Sequence, residues 1–204
     1  MEWAPRFQPT GSWPLSRPRD GTSGDMLDDL GLGFRIAEVE REVERTLPAF
    51  QAAELWASKG PSVFQTPYAE LHRMMTELAL EPGSRIVDLG CAYGRLGIVV
   101  ARFFPAIEFL GFEISRERVA EAKRVYALLG LDPAQIVQAD LSLDDFELPA
   151  AQAYFVYDYG TRQAVQKSLD DLRRLASGKG GAFWVVGRGR LVRDLIERGE
   201  PWLS

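Results

Sequence analysis

The sequence predicts an α/β protein built on a doubly wound, mainly parallel β-sheet with a helical flank on its N-terminal side. From residue 85 onward, short apolar runs alternate with amphipathic helical patterns, as expected for parallel strands joined by crossover helices. The runs RIVDL and AFWVV are apolar with little alternation, which is typical of strands buried on both faces. The composition, 46% hydrophobic and 11% aromatic over 204 residues, supplies enough apolar side chains for one sizeable core.

The chain divides into three segments. Residues 1–25 are rich in Pro, Gly, Ser and Arg without a sustained period, and we expect an irregular or disordered arm, or one that docks through Trp3 and Trp13. Residues 26–62 are expected to form a helical flank or lid, with a second short helix near residues 50–56. One helix face in this flank is formed by Ile36, Val39, Val43 and Leu47. Residues 63–204 form the main domain.

The main domain is expected to begin with a helix at the Thr66-Pro67 turn, with Thr66 as N-cap and Pro67 at the first helical position. Strands are expected at residues 85–89, 107–112, 136–139, 153–157 and 182–186. The intervening helices are expected at residues 95–104, 115–129, 161–176 and 191–198.

Composition excludes several classes of function. With one cysteine and one histidine, Cys91 and His72, the chain forms no intramolecular disulfide, and no metal site is predicted. It has no apolar run long enough for a bilayer and no signal-peptide pattern, so we expect a cytoplasmic protein without membrane contact. The net charge of −5 does not favour nucleic acid as a partner. The arginines between residues 162 and 198 form either a local basic face or scattered solvated charges.

The most informative stretch is VDLGCAYGRLG, residues 87–97, a strand followed by a small-residue turn and a helix. Such a turn lets the backbone approach a ligand, and the helix start attracts an anion. The turn residues expected to touch a ligand are Gly90, Cys91, Ala92 and Gly94. A dinucleotide fingerprint would need glycines where Ala92 and Arg95 stand. Asp88 would repel a pyrophosphate but attract an ammonium group, which favours S-adenosylmethionine over NAD.

Acids also follow the next two strands. Glu113, before Ile114, lies 23 positions after Gly90 and can accept hydrogen bonds from both ribose hydroxyls. Asp140 can accept one from the adenine amino group, with Leu141 against the ring. Each acid alone could be a surface charge or a helix cap. Three acids at three successive strand ends indicate a nucleoside-binding edge.

The motifs VDLGCAYG, GFEIS and QADL resemble the first three motifs of class I S-adenosylmethionine-dependent methyltransferases, over about residues 85–187. The resemblance implies a Rossmann-like fold, S-adenosylmethionine as cofactor, and the site residues named above. The segment FQTPY is similar to one in lysine methyltransferases related to the histone enzyme Dot1, which implies Thr66 as a cofactor contact. Ala92 replaces a glycine of the family pattern. The superfamily adds a final antiparallel strand pair, so either the chain is shortened or the sheet lacks its last strands.

The resemblance places the acceptor at the end of the fourth strand, in YDYGT. There Asp158 is expected to orient an amine acceptor or to take its proton. Tyr159 is expected to line the channel through which the methyl group is transferred. The alternative is that Asp158 caps the following helix. The expected activity is methyl transfer to a protein lysine, or to another protein or small-molecule acceptor. A non-catalytic cofactor-binding module and an NAD-dependent oxidoreductase are the alternatives. The oligomeric state is left open.

Overall fold

A computed structural model of the chain describes residues 29–46, 65–178, 182–200 and 202–203. Five parallel strands form one sheet in the order β3-β2-β1-β4-β5. The strands are β1 (Arg85–Leu89), β2 (Glu108–Glu113), β3 (Ile136–Gln138), β4 (Ala153–Tyr157) and β5 (Trp184–Arg188). The strand order reverses at β1, and in such sheets ligands bind beyond the carboxyl ends of the strands at that point.

Six helices of eight or more residues accompany the sheet in the described residues. They are α1 (Ile36–Thr46), α2 (Tyr68–Leu78), α3 (Arg95–Phe103), α4 (Arg116–Leu128), α5 (Arg162–Ser177) and α6 (Arg190–Gly199). A short 3₁₀ helix, Pro133–Gln135, precedes β3. The predicted doubly wound parallel α/β fold with a helical flank is confirmed.

The two faces of the sheet carry separate cores. Ile86 of β1 packs with residues of α2, α3 and α4, whereas Val87 and Leu89 pack with residues of α5 and α6. This alternation follows from the two-residue period of a strand. Asp88 shares the face of Ile86, so its carboxyl points toward the layer that contains α2, α3 and α4.

The register brings the strand ends together. Leu89 pairs with Phe112 of β2 and with Val156 of β4, so the loops after these three strands meet at one edge. That edge is where Asp88, Glu113 and the loop after β4 come close.

Most predicted boundaries agree with the structure within one or two residues, and β5 begins two residues later than expected.

The start of α2 differs from the prediction in the residue that occupies the N-cap. Pro67, not Thr66, occupies the N-cap position, and no side chain caps the helix. Proline fixes φ near the value that this position needs, −53° here, but its side chain cannot accept a hydrogen bond from the first-turn amides. The expected arm, residues 1–25, and the expected helix near residues 50–56 lie outside the described residues. In those that are described, no strand follows β5.

Gly97 of α3 provides a test of packing under the site. A Cβ added there would collide with the Tyr126 hydroxyl and the Phe109 ring. We expect Gly97→Ala to lower the free energy of unfolding by about 1–3 kcal/mol through overpacking. The matched change Gly199→Ala, where a Cβ meets nothing within 4 Å, should leave it unchanged or slightly raised. Urea unfolding of both variants checks this, and equal effects would contradict the packing argument.

Candidate functional site

The loop after β1 is fixed by backbone bonds to β2. The amides of Gly90 and Cys91 both donate to the Phe112 carbonyl, at 2.9 and 2.8 Å. The hydroxyl of Tyr126, a buried residue of α4, donates to the Gly94 carbonyl at 2.6 Å. The loop therefore has a fixed shape before any ligand binds.

Two glycines in this loop are required by space. Gly90 and Gly94 have φ of 82° and 72°, a region that disfavours a side chain. A Cβ on Gly90 would run into the Tyr159 side chain, and one on Gly94 would lie 2.7 Å from the Tyr126 hydroxyl. Ala92 also adopts a positive φ, 48°, which is uncommon for a residue other than glycine. The loop can turn this tightly because small residues occupy the three positions with positive φ.

Glu113 connects the loops after β1 and β2. Its carboxylate accepts the Ala92 amide at 3.0 Å and the Ser115 amide at 2.9 Å, one on each oxygen. Arg118 stands 3.8 Å from the same group. A carboxylate has about four acceptor sites, so positions remain for hydroxyl donors such as those of a ribose.

Arg95, Tyr157 and Asp88 each have a buried polar atom without a hydrogen-bond partner among the described residues, and Asp88 is the acid among them. Its side chain is buried, and its Oδ1 has no hydrogen-bond partner among the described residues. Burial, with repulsion from Glu113 as a second cause, raises the pKa of Asp88 to about 8. A buried carboxyl without a partner is unfavourable, and a cation placed beside it would remove that penalty.

Two clefts meet at Gly90. The smaller, about 40 Å³, is lined by Asp88, Ala92 and the Thr66 turn, among others. The larger, about 150 Å³, is lined by Glu113 and by the loops after β3 and β4. An elongated ligand with an ammonium at one end and a nucleoside at the other would place these two parts on either side of Gly90. S-adenosylmethionine has this form, and Asp88 and Glu113 have the chemistry for its two ends.

The remaining cofactor residues predicted from sequence lie around the same clefts. Ile114, Asp140 and Leu141 line the larger cleft, and the Ile114 side chain is exposed there. Asp140 uses Oδ1 to accept from the amide and hydroxyl of Ser142, at 2.9 and 2.6 Å. Thr66 lines the smaller cleft, and its carbonyl accepts from Arg95 at 3.2 Å. The geometry brings all of these residues to one edge, while their roles as contacts stay predictions.

Asp158 does not occupy the place expected of a catalytic group. Its two carboxylate oxygens accept the amides of Val192 and Leu191, at 2.9 and 3.0 Å, and so cap α6. Sequence reasoning considered capping of the following helix, but Thr161 caps that helix, α5. Asp158 is not among the residues that line either cleft. Its catalytic role stays a prediction that this geometry does not favour.

Tyr159 does lie at the site. Its ring stands over Gly90 and borders the larger cleft, while its hydroxyl donates to the Ala164 carbonyl at 3.0 Å and lies 2.6 Å from Ser168 Oγ. Burial raises the pKa of Tyr159 to about 12, so the hydroxyl stays protonated. Tyr159 is therefore placed to form a wall rather than to act as a base.

Cys91 is buried against the sheet, and a Cβ on Gly111 would lie 2.7 Å from its sulfur. Burial raises the pKa of its thiol well above the usual value. Both facts agree with a structural position under the loop and disfavour a nucleophile.

Two ion-pair networks behind the site were not predicted. Buried Arg95 pairs with Asp29 and lies 5.0 Å from the centre of the Tyr68 ring. Glu40 of α1 accepts from the Tyr93 hydroxyl at 2.7 Å and pairs with Arg118 at 2.8 Å. These contacts hold residues 29–46 against the loop after β1. The partners are separated by 53 to 78 residues in sequence, too far for a local pattern to reveal.

Within residues 29–46, 65–178 and 182–200, no group of three His, Cys, Asp or Glu side chains is arranged to hold a metal ion. In the described parts of the chain, none of the helices has the length and apolar character that crossing a membrane requires.

Residues 80–153 match a family model described as a methyltransferase domain. The match contains the loop after β1, Glu113 and Asp140, all on the parallel sheet described above. For residues 80–153, this match confirms the predicted methyltransferase domain, with S-adenosylmethionine as its cofactor.

Two curated relatives share part of the chain. The 23S rRNA (uracil(1939)-C(5))-methyltransferase RlmD of Alkalilimnicola ehrlichii is 37% identical over 101 residues, 47% of this chain and 22% of that protein. Its counterpart from Shewanella amazonensis is 28% identical over 141 residues, 64% of this chain and 31% of that protein. The chain thus spans about a fifth to a third of their length.

Among solved structures, the tRNA (uracil-54, C5)-methyltransferase of Pyrococcus abyssi, in complex with S-adenosyl-L-homocysteine, is 20% identical. The similarity has a TM-score of 0.46 and covers 66% of this chain and 32% of that one.

Two expectations need correction. The net charge was taken to disfavour nucleic acid, but both curated relatives are named as enzymes that methylate 23S rRNA. That expectation was wrong because a total charge averages over the whole surface and does not describe the face that meets a substrate. The narrower similarity to Dot1-like lysine methyltransferases finds no support in the matched family or in these relatives.

The raised pKa of Asp88 predicts an unusual dependence of stability on pH. The folded, ligand-free protein keeps a proton that the unfolded chain releases near pH 4, so wild-type stability falls as the pH rises from about 4 to about 8. Asp88→Asn removes this loss. We expect the variant to be more stable than wild type at pH 8 by at least about 2 kcal/mol, with the difference vanishing toward pH 4.

Glu113→Gln is the matched control. Glu113 accepts two backbone amides, and an amide side chain has only one accepting oxygen, so this variant should be less stable than wild type. Thermal unfolding between pH 4.5 and 8, which covers the range between the ordinary pKa of an aspartate and the raised pKa of Asp88, measures both variants. A destabilised Asp88→Asn at pH 8 would contradict the account of Asp88.

Proposed function

We propose that this chain is an S-adenosylmethionine-dependent methyltransferase that methylates a base in RNA. The observation that supports this most directly is the pair of clefts on either side of Gly90. One contains the buried carboxyl of Asp88, whose Oδ1 has no partner among the described residues, and the other contains the carboxylate of Glu113, which suits ribose hydroxyls. RNA as acceptor is supported by the two curated relatives, both named as 23S rRNA methyltransferases.

The cofactor would be held in three parts. Asp88 takes the ammonium group, and the amides in the first turn of α3 face the carboxylate. Glu113 accepts from the ribose hydroxyls. Ile114 and Leu141 border the cleft on either side of the position for the base, and Asp140 has its second oxygen available for an amino group.

Methyl transfer from S-adenosylmethionine needs few catalytic side chains. S-adenosylmethionine supplies a methyl group activated by its sulfonium, so a nucleophile's lone pair forms the new bond while the carbon–sulfur bond breaks. The protein has to align the two groups and exclude water. Tyr159 and Gly90 bound the point where the clefts meet, which is where the acceptor would approach. A route through a cysteine of the described chain is not supported, because Cys91 is buried with a raised thiol pKa.

A non-catalytic cofactor-binding module is the second candidate. The observation in its favour is that Asp158, the acid predicted to face the acceptor, is fully engaged in capping α6. Such a module would bind cofactor but transfer no methyl group.

Calorimetric titration with S-adenosylmethionine, S-adenosylhomocysteine and NAD tests the cofactor. We expect the first two to bind and NAD not to bind. Because Asp88 is mostly protonated at pH 7 and must ionise to pair with an ammonium, binding should release close to one proton. Comparing binding enthalpies in phosphate and Tris buffers measures this proton. Asp88→Asn should bind weakly and release none. NAD binding, or no ligand binding, would refute the cofactor assignment.

Transfer of a tritiated methyl group tests the acceptor. The full chain is incubated with labelled cofactor and total bacterial RNA, with bovine serum albumin as a protein control. We expect label in RNA that ribonuclease releases, and none when Asp88→Asn replaces wild type. Cofactor binding without any transfer to RNA would favour the non-catalytic module.

A further inference from the structure

The helices differ in the charge of their first turns. An acid is favoured there by the helix dipole, and α1, α2 and α4 carry one: Glu38, Glu70 and Glu117. The other three helices begin with an arginine, as α4 does with Arg116, but have no acid in the first turn to offset it: Arg95, Arg162 and Arg190. A cation opposes the dipole at this end, so these arginines are not explained by helix stability.

Arg95 is explained by its surroundings. It is buried and paired with Asp29, so its charge is neutralised inside the protein. Arg162 and Arg190 are both exposed at the surface. Arg162 pairs with Asp194 of α6, whereas Arg190 forms no ion pair within the described residues. The position of Arg190 is therefore not explained by a contact in the described part of the chain.

The starts of α5 and α6 lie beside the cofactor site. Thr161, which lines the larger cleft, immediately precedes Arg162. Asp158 accepts the amides of Leu191 and Val192, which fixes the first turn of α6 against the loop after β4. Arg190 and Arg162 therefore stand next to the cleft, on the side of Tyr159.

Arginines outnumber acids on this surface, although the chain as a whole carries −5. Arg193 lies three residues after Arg190 and is also exposed, so the two share one face of α6. Asp194 pairs with both Arg162 and Arg198, and hydrogen bonding from Arg162, followed by the charges of nearby arginines including Arg190, lowers the pKa of Asp194. The other acids here are Glu197, four residues after Arg193, and Asp158 at the start of α6. Three acids thus accompany four arginines and do not neutralise them all.

We propose that Arg162, Arg190 and Arg193, the α5–α6 rim, bind the phosphate backbone of the single-stranded RNA that presents its base to the cleft. This inference rests on the proposed function and names where the RNA lies. Guanidinium groups form bidentate bonds with phosphate, and such contacts fix the position of a strand without reading its sequence. A base can reach a cleft beside the rim only from an unpaired strand or after leaving its stack.

The double variant Arg190→Gln/Arg193→Gln tests the rim. The matched control is Arg102→Gln/Arg174→Gln, which removes the same charge from the last turns of α3 and α5, at the opposite ends of those helices. Binding of a fluorescent single-stranded oligoribonucleotide, about 20 nucleotides long so that it can cover the rim and the cleft, is measured from 50 to 200 mM salt. Titration with S-adenosylhomocysteine and thermal unfolding verify that each variant is folded.

We expect the rim variant to lose about tenfold or more in RNA affinity at low salt. Its salt dependence should weaken by about 0.7 in slope for each lost phosphate contact, while cofactor affinity stays unchanged. The control variant should behave as wild type. Equal losses of RNA affinity in the rim and control variants would overturn the inference. It would also be overturned if poly-glutamate bound as strongly as RNA and depended equally on the rim arginines, because the surface would then suit an acidic protein.

The two proposals can fail separately. If wild type neither binds nor methylates RNA, the proposed function fails and the rim has no role in it. If wild type methylates RNA and the rim variant does so with an unchanged KM for RNA, only the placement of the RNA fails.

Discussion

Two carboxylates at the ends of neighbouring strands determine how the cofactor edge of this protein is built. The parallel register of β1 and β2 places Asp88 and Glu113 close enough to repel each other under the same loop. Glu113 is stabilised by two backbone amides, whereas Asp88 Oδ1 receives no hydrogen bond from the described residues. The loop is therefore fixed by one acid, while the other keeps a buried oxygen without a partner in the described residues. In the proposed function, a cationic ligand would supply that partner.

The shape of this edge depends on contacts from outside the sheet. Arg95 with Asp29, and Glu40 with Arg118 and Tyr93, connect residues 29–46 to the loop after β1. Arg118 also stands 3.8 Å from Glu113, so α1 is linked to the ribose-type acceptor through a single side chain. The flank is thus part of the support of the site rather than a separate layer.

The sequence was sufficient for the sheet and for the acids at its edge. Strand runs such as RIVDL are short, apolar and bounded by glycine or proline, and the carboxyl ends of parallel strands must meet, so Asp88, Glu113 and Asp140 could be placed together. Capping was harder to predict. A carboxylate before a helix looks the same in sequence whether it caps the next helix or one 33 residues away, as Asp158 does.

Net charge was also a poor guide to the acceptor. A total of −5 contains no information about where charges lie, and the exposed arginines at the starts of α5 and α6 are brought together only by the fold. The lack of an acid in three of the first turns was visible in the sequence, but its meaning depends on which helices start beside the cleft. Helix position, not composition, distinguishes a binding face from a solvated one.

The most direct measurement is the titration of the Asp88 side-chain carboxyl by ¹³C NMR, with and without S-adenosylhomocysteine, using Asp88→Asn to assign the signal. In the free protein, we expect the Asp88 carboxyl to titrate with a midpoint near pH 8. In the complex, we expect its pKa to fall to the ordinary value of an aspartate, about 4, or below, because the ligand's ammonium stabilises the ionised form. An ordinary pKa in the free protein, or no change on binding, would contradict the central role of Asp88.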